Sequence, residues 1–212
     1  MQEDEKKFKE YLVSAVSNDD IESYEQFADY LEQFYQKNNI STQIPIDYSS
    51  IGKLFEVSLQ TSSFFYNPSI LGQAYDHEVL ISNSLSYKES RVTYLIGLIH
   101  AILDQDLCII YDHYYVPSDI SSLRIRKCAL LMLFPLSNFE EQFDQFDCNY
   151  GFSKHRDQWL SYLSDQSMIP EFDLGLIYPT IQEIFSRRIA RDFEKSGYDI
   201  NKVSQKQMKF YL

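Results

Sequence analysis

The sequence predicts an α+β fold, with a mostly helical core around a small β-sheet and an N-terminal helical hairpin ahead of it. Three observations predict this. Apolar residues recur at the 3 and 4 spacing of a helix face over most of the chain. Short runs of β-formers interrupt that spacing only in the middle, so the order is helices, sheet, helices, not alternating strand and helix. Gly and Pro number six each in 212 residues, too few for an all-β chain dense in turns.

The first predicted helix covers 3–17, with Phe8, Tyr11, Leu12, Ala15 and Val16 on one face. The Ser-Asn-Asp-Asp run at 17–20 breaks it and offers N-caps to the next. That helix, 21–37, carries Tyr24, Phe27, Ala28, Leu31, Phe34 and Tyr35 as its stripe and acids on its other face. The polar stretch 38–45 is the predicted boundary. It separates an acidic helical extension (1–45) from a main domain (46–195), which a C-terminal tail (196–212) follows.

Asp47 is placed to cap a short helix over 47–57, with Ile51, Leu54 and Phe55 inward. Strands are predicted at 59–66 and 78–82, with Asn67-Pro68 as a turn after the first. The helix over 87–104 is almost wholly apolar and should be central. Residues 107–116 read equally as strand or helix. Pro117, Ser118 and Asp119 stop that segment and cap a helix running to 134, which Pro135 ends. Short helices follow at 138–146 and 157–164. A final helix over 179–193 has a basic end, Arg187, Arg188 and Arg191, that suits its dipole.

A net charge of −12 opposes non-specific binding to nucleic acid or anionic membrane and is compatible with a basic protein partner. The charge is uneven: residues 1–35 hold ten acids against three lysines, and residues 187–212 carry a net +4. The acids Asp19, Asp20, Glu22, Glu25, Asp29 and Glu32 form either a solvated face or a docking surface for that partner. The aromatic stripes beside them either pack on the main domain, form a dimer contact or belong to a separate arm. Cys108, Cys128 and Cys148 form no C-x-x-C pair and read as ordinary packed thiols of a reducing compartment. No secretory leader and no membrane-spanning run is visible, so the expected location is the cytoplasm. Walker A and G-x-G-x-x-G loops are absent, and Ser153-Lys154-His155 lacks the flanking glycines of a nucleophile elbow.

Several landmarks occur in one order. Ile46, Asp47, Ile51 and Val57 fit a short helix of the pattern I-D-x-x-x-I-x-x-x-x-x-V. A strand ending Ile81-Ser82-Asn83 follows, then Arg91 and Thr93 leading into the apolar helix with His100. A second helix reads A-L-L-M-L-F-P over 129–135. The series resembles the ImmA/IrrE family of zinc metallopeptidases, which act on helix-turn-helix repressors in mobile elements and stress responses. It implies a zincin-like core over the main domain.

Carried over by position, the family's Arg-x-Thr-x-x-His-Glu-x-x-His finds Arg91, Thr93 and His100. Ile96 stands for the first metal-binding His and Gly97 for the catalytic Glu. The third ligand position, thirteen residues before Pro135, holds Ser122. One imidazole cannot hold zinc, which needs three or four ligands. The resemblance therefore implies a pseudoenzyme with no catalytic residues, no metal and no cofactor. A rebuilt site from His100, Asp104 and His113, with Asp112 and His77 nearby, is the alternative to a satisfied core histidine. Three functions stay open: a non-catalytic protein that binds a repressor or regulator of a mobile element, an acidic, phage-borne inhibitor, or an active hydrolase with an unrecognised site. The second would mimic DNA against restriction or CRISPR nucleases.

Overall fold

The computed structural model describes residues 2–63, 65, 67, 69–103, 107–111, 120–139, 141–142 and 158–195. Helices α1 (Gln2–Asn18) and α2 (Ile21–Lys37) pack on each other as the predicted hairpin. Asp19 turns the chain with a φ of 52°, and the Asp20 carboxylate caps α2 by accepting from the Ser23 amide at 2.7 Å. The predicted cap Asp47 likewise opens α3 (Tyr48–Leu54), accepting from the Ser49 amide at 3.0 Å.

Three strands follow, β1 (Ser58–Ser62), β2 (Ile70–Tyr75) and β3 (Glu78–Ser82), and then α4 (Tyr87–Ile102). Strand β4 (Cys108–Tyr111) returns to the sheet before α5 (Ile120–Leu133), α6 (Trp159–Ser167) and α7 (Glu171–Lys195). The sheet runs β1-β3-β2-β4. β1 is parallel to β3, while β2 is antiparallel to both β3 and β4. Asp76 and His77 join β2 to β3 with φ of 45° and 62°, the paired positive φ of a turn whose twist matches a hairpin.

α4 lies on one face of the sheet. It opens with a reciprocal cap, in which Ser86 accepts from the Glu89 amide and Glu89 from the Ser86 amide. Apart from its first turn it is buried around nearly its whole circumference, as its unbroken apolar composition predicts. Two glycines let backbones approach. A Cβ on Gly72 of β2 would lie 2.7 Å from the Leu80 carbonyl oxygen and 3.1 Å from Thr93 Cγ2. A Cβ on Gly52 of α3 would sit 1.7 Å from the Tyr94 hydroxyl, which reaches past it to donate to the Val57 carbonyl at 3.2 Å.

The strand expected over 59–66 ends at Ser62 and the helix expected over 47–57 ends at Leu54, and three further elements differ from the sequence expectation. β2 is a strand that Gly72 concealed, and because its open face carries the aromatic Tyr75 it shows no clean polar-apolar alternation. The ambiguous segment resolves as strand over Cys108–Tyr111, its remainder lying outside the described residues. α7 begins at Glu171, so Pro179 lies inside the helix. Leu174, Ile177, Ile181 and Ile184 keep one buried stripe running across the proline, and that packing outweighs the missing hydrogen bond. Residue 104, residues 143–146 and 157 of the short helices, and the tail 196–212 lie outside the described residues.

The acidic pair shares the core of the rest of the chain. Phe8, Leu12, Phe27, Phe34 and Tyr35 belong to one buried cluster with Leu95, Ile99, Leu130 and Phe134. The Phe8 ring lies 4.9 Å from that of Phe55, beyond the polar connector. The buried Tyr35 hydroxyl donates to the Met132 carbonyl of α5 at 2.7 Å.

Candidate functional site

The candidate site is the stretch of α4 from Arg91 to His100, with the start of α5 beside it. Arg91 is fully buried. Its guanidinium donates to the Ser167 and Met168 carbonyls at 2.5 and 3.1 Å, at the C-terminal end of α6, and to the Ile46 carbonyl at 2.7 Å. The rings of Tyr48 and Tyr87 lie 5.8 and 5.7 Å from its centre. Burial pulls its pKa down, but a guanidinium starts so high that it stays charged. Arg91 thus ties three distant segments together, with the negative end of the α6 dipole as part of its counter-charge.

Along the helix, Thr93 is buried against Gly72, and Ile96 is almost wholly buried. Gly97 meets the sheet. A Cβ there would come within 2.6 and 2.9 Å of the two Val79 methyls and 3.3 Å of Ile110 Cδ1. That position has no space for even a methyl group, and a glutamate would have to push β3 and β4 away. His100 and Ser122 are both half-buried. α4 and α5, which carry them, pack side by side.

These residues do not fit a zinc site. The four carried-over positions offer one imidazole, a methyl-rich side chain, a bare backbone and a hydroxyl, against the three or more ligands zinc needs. Among the described residues no three His, Cys, Asp or Glu side chains gather as a metal site. Of the rebuilt alternative, Asp104, Asp112 and His113 lie outside the described residues. His77 sits on the β2–β3 turn and lines a cleft of about 550 Å³ together with Lys6, Lys9, Phe55, Ala101 and Ile102.

The thiols behave as packing groups. Burial pushes Cys108 up to about 11 and Cys128 higher still, so neither is a thiolate at neutral pH. Cys148 and the Ser153-Lys154-His155 cluster lie outside the described residues.

The six acids read as docking candidates are mostly engaged within the chain. Asp19 accepts from the Tyr24 hydroxyl at 2.7 Å and pairs with Arg124 at 3.3 Å and Lys127 at 3.5 Å. Burial raises the Asp19 carboxyl, but the Tyr24 bond and the two cations outweigh it and hold it below its ordinary value. Glu25 is buried and pairs with both Arg188 and Arg191 of α7. Asp29 pairs with Arg188, yet burial, with the charges of Glu25 and Glu32, keeps its carboxyl raised. Glu32 accepts from the Ser137 amide at 2.7 Å, and Asp20 caps α2. Glu22 is exposed and accepts from Gln26 on its own helix. The basic end of α7 is therefore more than dipole compensation, since Arg188 and Arg191 hold the acidic helix down. Sequence reasoning missed this pairing, and also the tether formed by Arg91, because the partners lie 45 to 166 positions apart.

Comparison with protein-family models, with curated proteins and with solved structures found no match to this chain. Among the described residues no helix is long and apolar enough to cross a membrane.

Proposed function

We propose that this chain is a non-catalytic, metallopeptidase-like protein that acts in the cytoplasm by binding a protein partner, a regulator or repressor of a mobile element. The observation that carries the reading is Gly97. On the resemblance, Gly97 stands where a zinc peptidase keeps its general base, and a Cβ there would meet the Val79 methyls at 2.6 and 2.9 Å. Loss of the other ligand positions to Ile96 and Ser122 agrees with it. A frame without a water-activating group has binding left as its function. The alternative, an acidic mimic of DNA, draws on the net charge of −12. It is disfavoured because Asp19, Glu25, Asp29 and Glu32 are turned to internal partners rather than arrayed for a basic groove.

The test is affinity purification from the native host, with identification of the captured protein. The expected result is one intact basic partner, bound equally well with and without a chelator. A partner cut at a discrete bond by the parent chain but not by His100→Ala would overturn the proposal. So would binding that a chelator abolishes.

A further inference from the structure

The sheet has two unlike faces. α4 covers the inner one, where Val79, Ile81, Ala74 and Ile110 are buried. On the outer one Ile109 stands opposite Gln73, Gln73 opposite Leu80, and Tyr75 opposite Glu78, so β4, β2 and β3 present one continuous surface. Tyr75 is 62% exposed, Ile109 40% and Tyr111 37%, and Leu107, just ahead of β4, is 56% exposed. Nine large apolar side chains are exposed among the described residues, and these four gather on or beside this one face. Scattered exposed apolar groups need no explanation, but a gathered set marks a surface that is covered in use.

The charge on the surface selects the cover. In the four strands the one charged side chain is Glu78, whose carboxylate accepts from Gln60 Nε2 at 3.1 Å. Asp76 follows in the adjoining turn, and the strands contain no Lys or Arg. A second copy laid on this face would set the Asp76 and Glu78 end of one chain against strands that carry no Lys or Arg, in a chain already at −12. A partner with basic groups beside an apolar stripe is complementary. Four strands at about 4.8 Å spacing give a face roughly 15 Å wide, the length of about three helical turns. A sheet face is normally closed by helices or by another sheet, and α4 already closes the inner side.

We propose that the outer face of the sheet, centred on Tyr75 and Ile109, docks an amphipathic helix of a partner protein whose apolar stripe is flanked by Lys or Arg. This rests on the protein-binding reading above and names the surface and the partner chemistry. The probe is a fluorescein-labelled 14-residue Leu/Lys amphipathic peptide, with a Leu/Glu peptide of the same pattern as control. The full chain should bind the Leu/Lys peptide 1:1, with slowed amide exchange in β2 and β4. Affinity should fall at least tenfold in Ile109→Lys and Tyr75→Lys, and about threefold in Glu78→Gln. Both exposed positions accept the change without loss of fold, which an unchanged melting temperature verifies. Equal binding of the Leu/Glu peptide, exchange protection confined to other elements, or dimers of the chain that Ile109→Lys dissolves would each overturn the proposal. If the partner captured from the host binds Ile109→Lys as tightly as the parent chain, this surface is wrong while the binding function stands.

Discussion

The α1–α2 pair meets the rest of the chain through aromatic rings and ion pairs, whereas α4 meets the sheet through hydrocarbon and closely approaching glycines. Phe8 against Phe55, Tyr35 bonded to Met132, and Asp19 and Glu25 paired with four basic side chains make the first contact. Gly72 and Gly97 set against Leu80, Thr93 and Val79 make the second. The first contact has polar groups at its rim, so its strength depends on pH and salt. The second is methyl groups against glycine backbone at Gly72 and Gly97 and depends there on volume. Only the second includes Gly97, where volume leaves no room for a side chain.

The sharpest way to break this contrast is Gly97→Glu. It inserts an unpaired carboxylate where a Cβ already clashes with Val79. A loss of at least about 4 kcal/mol, or failure to fold, is expected in urea unfolding. A variant as stable as the parent would show that the helix–sheet contact is loose. Arg91→Met should follow at about 3 kcal/mol, because it strips the buried carbonyls of Ile46, Ser167 and Met168 of their donor.

Glu25→Gln tests the charged contact. It leaves Arg188 and Arg191 without their shared carboxylate, but those side chains are 29% and 53% exposed and water screens them. About 1–2 kcal/mol is expected, shrinking in 1 M salt, while Gly97→Glu should be indifferent to salt. The smallest effect is Asp19→Asn. The Asp19 carboxyl is held below 3.8 in the folded chain, so its contribution is present at neutral pH and is lost as pH falls through that lowered value. The asparagine variant should be about 0.5–1 kcal/mol less stable at pH 7 and should converge with the parent as acid takes the pH below that lowered value. A difference that stays constant on acidification would mean that Asp19 acts by shape rather than charge.

Local features were legible in the sequence wherever the determining residues lie within a few positions of one another. The apolar stripes gave α1, α2 and α4 nearly to their ends, and Asp20 and Asp47 were readable as caps because a cap acts over three residues. Arg91, Thr93 and His100 were legible as one stretch of a central helix because they lie within ten positions of one another. The sequence did not show that α7 runs through Pro179, because a proline in isolation stops a helix and only the buried stripe from Leu174 to Ile184 overrides it. Nor did it show β2, whose Gly72 looks like a breaker until Thr93 and Leu80 are seen pressed against it.

By itself the sequence determined the α+β class, the helical hairpin and the central apolar helix. These follow from composition and short-range periodicity, which act before the chain closes on itself. The tertiary structure decided which face of each element is used. It turned the acids of α2 toward Arg188 and Arg191, sank Arg91 among carbonyls from two distant segments, and pressed Gly97 onto Val79. Each of those outcomes depends on residues far apart in the chain, and a charge or a glycine has no fixed meaning until its neighbours in space are known.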